Sequence, residues 1–264
     1  MTTKKRIWTV SSKGGVGTST VCVNLARAFA AAGLRVLLID LDTTAPALDM
    51  LLGVENTVYD VKDALLGRMP VAEAVVHLPH SPNMYLLCGT LDPTADLPLT
   101  GLERVMLEAE RTLGVSVILL NTHGPGHYAK TLASLVTDTL LVTHASPLPL
   151  YTAEQCGVFL RGIEAPNIKL VINQYDMETA EPPIISVIDA TGVQLLGVVP
   201  EDKEMAKAQL QGKMAKEGAG HNTVCAFRNM AHRLFGQHAP LFSRFKGVSR
   251  RKLISCHTHR QRKE

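Results

Sequence analysis

The chain contains no run of eighteen apolar residues, so no membrane-spanning helix is expected. Its cysteines are few and scattered: Cys22, Cys88, Cys156, Cys225 and Cys256, an odd number with no C-x-x-C pair. Free thiols in a reducing cytoplasm, and not a disulfide framework, are therefore expected. Nothing in the composition suggests a repeat array, a collagen-like segment or a disordered chain. The N-terminal stretch "MTTKKRIWTV" is basic, but its apolar run is short and leads straight into glycines, so it reads as a first strand and not as a signal peptide.

What is present is an ordinary globular balance. Of 264 residues, 46% are hydrophobic and 19% charged, enough to bury a sizeable core in one large α/β domain or two small ones. The net charge of +3 is uneven. Residues Ala239 to Glu264 hold eight Lys/Arg and one Glu, a balance of +7, which leaves −4 on the other 238 residues. Basic tails of this kind seek phosphates, on lipid or on nucleic acid. No composition break precedes residue 236, so one domain over 1–236 and a basic tail over 237–264 are expected, with Pro240 ending the preceding helix near Phe235.

Short apolar runs predict strands at 6–11, 35–41, 84–89, 115–121, 139–144, 168–173 and 194–199. Several are apolar almost throughout, as in strands buried on both faces. Helix-length segments such as "TSTVCVNLARAFAAAG" and "LYTAEQCGVFLRGI" lie between most of them. The alternation predicts an α/β fold, a mostly parallel twisted sheet with helices on both faces. Ligands in such sheets bind beyond the carboxyl ends of the strands. Those ends fall near Ser11, Asp40, Asn121, Asn173 and Pro200.

The first of them carries "SSKGGVGTST", Ser11 to Thr20. Gly14, Gly15 and Gly17, with Val16 among them, stand between an apolar strand and a strong helix pattern. Glycines there let backbone N–H groups turn around an anion at the positive end of the helix. That is the context of a phosphate-binding loop, G-x-x-x-x-G-K-[ST]. Its lysine is missing, because Thr18 occupies the position; Ser19 keeps the hydroxyl. Two unit charges about 4 Å apart at an effective dielectric of about 20 interact by roughly 4 kcal/mol. Desolvation offsets much of that, so nucleotide binding is weakened and not abolished.

With Lys13 at its front, the loop resembles the deviant Walker motif K-G-G-x-G-K-[ST] of the MinD/ParA family of P-loop NTPases. The resemblance runs to about Phe235. "VYD" at 58–60 and "LD" at 48–49 lean towards the septum-site MinD branch and its flagellar-number relatives. The resemblance implies that ATP or ADP is bound with Mg²⁺ by residues 14–20, with Gly14, Gly15, Val16, Gly17, Thr18, Ser19 and Thr20 as the cradle. It implies that Lys13 reaches across a homodimer to the partner's nucleotide. Asp40 then helps to organise Mg²⁺ with Ser19, and Asp42 positions the attacking water. Asn121 falls where the family has the Asp of its Walker B strand; an amide can accept a bond from a metal-bound water but brings no charge. Asn173 falls on the Asn that reads the adenine edge, and Pro200, Glu201 and Asp202 on the segment beside the base. His123 and His127 read as loop histidines. The cluster cysteines of the nitrogenase iron protein are absent near Asn121, and the tail has no tyrosine, unlike the bacterial tyrosine kinases.

In "LFSRFKGVSRRKLI", Leu241, Phe245 and Val248 stand at i, i+4 and i+7 beside Arg244, Arg250, Arg251 and Lys252. This resembles a short amphipathic segment lying on anionic lipid. A solvated tail and a nucleic-acid contact remain open. The sequence thus reads as a cytoplasmic, MinD-like ATP-binding dimer at the inner face of the membrane. Its role would be septum or flagellar site placement with an unidentified regulatory partner. With two charged positions neutral, hydrolysis is expected to suffer more than binding. A non-hydrolysing adaptor and a ParA-like DNA-partition ATPase are the alternatives.

Overall fold

The alternating apolar pattern builds the expected sheet. A computed structural model describes residues 4–55, 57–78, 80–92, 96–176, 182–210 and 221–241. The elements run β1 (Lys5–Ser11), α1 (Thr18–Ala31), β2 (Val36–Asp40), α2 (Leu48–Leu52), α3 (Val61–Leu65), α4 (Val71–Ala74), β3 (Val76–His77) and β4 (Met84–Leu87). A 3₁₀ turn at Leu99–Gly101 then leads into α5 (Leu102–Thr112), β5 (Val117–Thr122), α6 (Ala129–Leu135), β6 (Asp138–Thr143) and α7 (Pro147–Gly162). The chain continues through β7 (Ile168–Tyr175), α8 (Ile184–Thr191), β8 (Gln194–Pro200), α9 (Lys203–Leu210) and α10 (His221–Leu234). Among the described residues, no helix is long and apolar enough to cross a membrane.

Among the described residues the sheet has eight strands, in the order β3-β4-β2-β5-β1-β6-β7-β8. All pairings are parallel except β3 with β4. Each of the seven expected strands is present. The two-residue β3 is an addition, since so short a pairing leaves no periodicity to read.

Side chains alternate between the faces. In β5, Val117 and Leu119 enter the core shared with α1, α2, α9 and α10, while Ile118 and Leu120 enter the core beneath α3 to α8. Trp8, the chain's single tryptophan, is fully buried in the second core, and its Nε1–H donates to Thr122 Oγ1 at 2.8 Å. The described cysteines are free thiols, as expected. Burial pushes Cys22, Cys88 and Cys156 up, so these thiols stay protonated at neutral pH.

Two boundaries differ in cause from the sequence reading. The expected stop near Phe235 is found, but Gly236 at φ 73° terminates α10, four residues before Pro240. The helix expected from Leu150 starts at Pro147, where the first turn tolerates proline because its N–H has no intrahelical acceptor. Of the tail expected over 237–264, residues 237–241 are described, with Leu241 half-buried against the core beneath α3 to α8; the rest of the tail reading falls on 242–264, outside the described residues.

Glu110 in α5 anchors the start of β1, accepting from Arg6 Nε at 2.8 Å and Lys4 Nζ at 2.9 Å. Burial pushes its carboxyl upward, but the bonds and charges of Arg6 and Lys4 outweigh this and hold it below the ordinary 4.5. A depressed folded-state pKa adds stability above the unfolded value, and that stability is lost as pH falls through the folded value. Glu110→Gln is therefore expected to lower unfolding stability by about 1–3 kcal/mol near neutral pH. In urea titrations the gap to the parent should close as pH falls below 4.5.

Candidate functional site

The carboxyl ends of β1, β2, β5, β7 and β8 supply the site, as parallel topology requires. At the end of β1, Ser12 N–H bonds Val142 O and Ser11 N–H bonds His123 O, which hold the loop between β5 and β6. Gly15 (φ 83°) and Gly17 (φ 81°) then turn the chain into α1. Gly17 is the N-cap, with no side-chain cap, so the first N–H groups of α1 are left for a ligand. Lys13, Gly14 and Gly15 are exposed, whereas Val16 and Thr18 are buried. The expected cradle thus has the expected shape.

Asn173, 1% exposed at the end of β7, ties the loop down: its Nδ2 donates to Val16 O at 2.9 Å. A Cβ on Gly17 would stand 2.4 Å from that nitrogen, so Gly17 is required by contact as well as by φ. The neighbouring Gln174 is exposed at φ 49°, where the register of β7 with β8 shifts. A left-handed non-glycine beside the loop is a strained position of the kind held at functional sites. Pro200 ends β8, and Glu201 N–H bonds Tyr175 O at 3.1 Å. Asp202 caps α9, accepting Met205 N–H at 3.0 Å, and its second oxygen accepts Thr223 Oγ1 of α10 at 3.0 Å.

On the other side, Asp40 and Asn121 are register partners on the sheet face that α1 covers, which brings both to Ser19. Asn121 is fully buried, and its Nδ2 donates to Ser19 Oγ at 3.2 Å and to Asp40 Oδ1 at 3.0 Å. Asp40 Oδ1 also accepts Asp42 N–H at 3.2 Å, while Oδ2 accepts Ala47 and Leu48 N–H at 3.1 and 3.2 Å. Burial pushes the Asp40 carboxyl up, against these four donors. Asp42 Oδ1 accepts Thr44 N–H, Thr44 Oγ1–H and Ala45 N–H at 2.9, 2.7 and 3.0 Å, a side-chain-capped turn. Asp42 Oδ2 lies 3.7 Å from His123 Nδ1, and His123 Cε1 lies 3.1 Å from where a Gly14 Cβ would stand. His123 therefore bridges Asp42 and the loop, a role that sequence spacing did not reveal. Its position one residue beyond the end of β5, and two beyond the buried Asn121, was the signal that the sequence offered. His127 lies apart, 3.5 Å from the exposed Asp96.

Ser11 Oγ, Thr18 Oγ1, Asn121 Oδ1 and His144 Nε2 are buried without a hydrogen-bond partner among the described residues. They stand in or beside the loop; burial pushes the His144 pKa down, against an opposing hydrogen bond between its ring and the Val16 backbone. Such a concentration of orphaned polar atoms marks a place where something polar binds. The glycine cradle and these groups fit a nucleotide phosphate. The donor set around Ser19 fits a divalent cation poorly, because a neutral amide turns its N–H edge, and not a carboxylate oxygen, towards both oxygens that would organise it.

Residues 7–215 match CbiA, the CobQ/CobB/MinD/ParA nucleotide binding domain. The chain belongs to the MinD/ParA family. Septum site-determining protein MinD of Bacillus subtilis is 29% identical over 242 residues, 88% of this chain and 89% of that protein. Solved structures 26% identical to this chain include two of MinD proteins. One is the MinC:MinD cell division protein complex of Aquifex aeolicus (TM-score 0.80, 90% of this chain and 98% of that one). The other is MinD of Pyrococcus horikoshii complexed with Mg-ADP (TM-score 0.75, 87% and 95%). Within the family's loop, Lys13 is present and the second lysine is Thr18.

Gly17→Ala should cost about 1–3 kcal/mol, more than Gly15→Ala, whose added methyl meets open space and pays only the left-handed strain. Thermal unfolding of the two variants reads the difference.

Proposed function

We propose that the chain is a MinD-like nucleotide-binding protein acting in spatial regulation, in septum or flagellar site placement. The observation that carries this reading is the Ser11–Thr20 loop, whose glycines and helix N-terminus form one cradle, with unsatisfied hydroxyls buried within the loop. ATP or ADP sits with its phosphates against the N–H groups of residues 14–20. Asn173 fixes the loop through Val16 and places an amide edge near the adenine, with Pro200, Glu201 and Asp202 beside it. Lys13 is exposed and leaves its own loop to meet the nucleotide of a second copy, so that nucleotide drives a face-to-face homodimer. Asp42 Oδ2, the oxygen its turn leaves over, positions the attacking water. Without a lysine at 18, less charge builds on the protein side of the transition state, so turnover is slow.

The basic tail from residue 237 would bind anionic lipid, each copy weakly, so a dimer doubles the anchor. The protein then works from the cytoplasm as a peripheral membrane protein. A MinC-like regulatory partner is in keeping with the Aquifex aeolicus complex. The neutral Thr18 and Asn121 favour one second reading, an adaptor that has stopped turning nucleotide over.

Calorimetric titration of ATP and ADP separates these readings: saturable binding is expected, and silence at millimolar nucleotide would leave the adaptor. Thr18→Lys should tighten ADP by about tenfold or more, the effect of restoring roughly 1.4 kcal/mol of phosphate attraction. Sedimentation should show a dimer with ATP and a monomer without it, and Lys13→Ala should stay monomeric in both. A parent chain that remains monomeric at saturating ATP rejects the trans role of Lys13.

A further inference from the structure

The Asn121 amide decides which way the Ser19 hydroxyl points. Both of its N–H bonds are directed at acceptors, Ser19 Oγ at 3.2 Å and Asp40 Oδ1 at 3.0 Å. Turning the amide over would set Asn121 Oδ1 against an Asp40 oxygen that already accepts Asp42 N–H, two acceptors facing each other. The hydrogen-bond network therefore fixes the nitrogen on this side and leaves Oδ1 as the orphan.

The consequence lies at Ser19. A carboxylate at position 121 would accept the Ser19 hydroxyl proton and leave an oxygen lone pair free for a cation. An amide donor takes one of the two lone pairs of Ser19 Oγ instead, sets a positive N–H edge beside it where a carboxylate would bring negative charge, and leaves its proton to point elsewhere, into the cradle. Asp40, the carboxylate beside it, has no spare lone pair to add: four donors engage a group that has about four acceptor sites. Cations need lone pairs, and phosphate oxygens need protons.

We propose that this cradle holds nucleotide phosphates without a divalent cation, with Ser19 as a proton donor to phosphate and Asn121 as the positioning residue that makes it one. The proposal rests on the nucleotide-binding reading above. The phosphates are met by loop N–H groups, by the N-terminus of α1 and, across the dimer, by the Lys13 of the second copy, with no divalent cation bridging them. A short phosphate chain suits such a site better than a long one, because each added phosphate brings charge that nothing in the cradle neutralises. A nucleoside diphosphate is the ligand it favours over the triphosphate.

Full-length protein is titrated by calorimetry with ADP, once in excess Mg²⁺ and once in EDTA. Mg²⁺ in solution competes for the same phosphate oxygens. The affinity in EDTA is therefore expected to equal or exceed that in Mg²⁺, and ATP is expected to bind no tighter than ADP. ADP binding at least about threefold tighter in Mg²⁺, roughly 0.65 kcal/mol, would overturn the proposal. Asn121→Asp should reverse the order and make binding Mg²⁺-dependent. Ser19→Ala removes the hydroxyl without a new charge: weakening by the same factor in both buffers is expected, whereas weakening in Mg²⁺ alone would mark Ser19 as a metal ligand and reject the inference. Absence of heat with both nucleotides, in both buffers and for Asn121→Asp, would overturn the nucleotide reading itself and is distinguishable from either result.

Discussion

Three chain segments meet at one buried amide. Asn121 joins the end of β5 to the end of β2 through Asp40 and to the first turn of α1 through Ser19. Asp40 in turn holds Asp42 and the entry to α2 through its backbone bonds. Removing the amide would leave a buried carboxylate short of a donor and a hydroxyl without its neighbour, the costly half of hydrogen-bond energetics. The phosphate loop, the turn at Asp42 and the start of α2 depend on this junction for their mutual placement.

A second fastening works from the opposite flank, where Asn173 binds Val16 O and presses against Gly17. The loop is thus pinned from β5 and from β7, while its front, Lys13 to Gly15, stays exposed. That division suits the proposed use: a rigid cradle for phosphates behind, and a lysine free to leave in front. The same geometry gives meaning to the two neutral positions. Thr18 lies buried with its hydroxyl unpaired, so the cradle has lost a charge but kept a polar lining. Asn121 has exchanged an acceptor for a donor, which changes what Ser19 can offer. Both substitutions act on how phosphate is met, and neither disturbs the sheet.

The parallel sheet was legible because strands such as "VILLN" in β5 are apolar on both faces and bury both. The loop was legible because glycines between a strand and a helix have few other uses. Hydrogen-bond direction was not legible: a sequence names Asn121 but cannot say which of its two ends faces Asp40. The bridge made by His123 was hidden for a similar reason, since it depends on β5 lying beside β1 and not on spacing along the chain. Gln174 was missed because its left-handed backbone follows from a register shift between two strands. The end of α10 was placed correctly and attributed to the wrong residue, because Gly236 and Pro240 both break helices and only φ distinguishes them.

The central claim is that an amide-locked cradle takes phosphate directly. A crystal structure of the protein grown with ADP and Mn²⁺, with anomalous data at the manganese edge, tests it most directly. The account predicts phosphate oxygens among the N–H groups of residues 14–19, Asn121 still bonded to Ser19 and Asp40, and no anomalous peak at coordination distance from Ser19 Oγ. A manganese peak on Ser19 with the Asn121 amide turned away, or phosphates lying outside the loop, would contradict it.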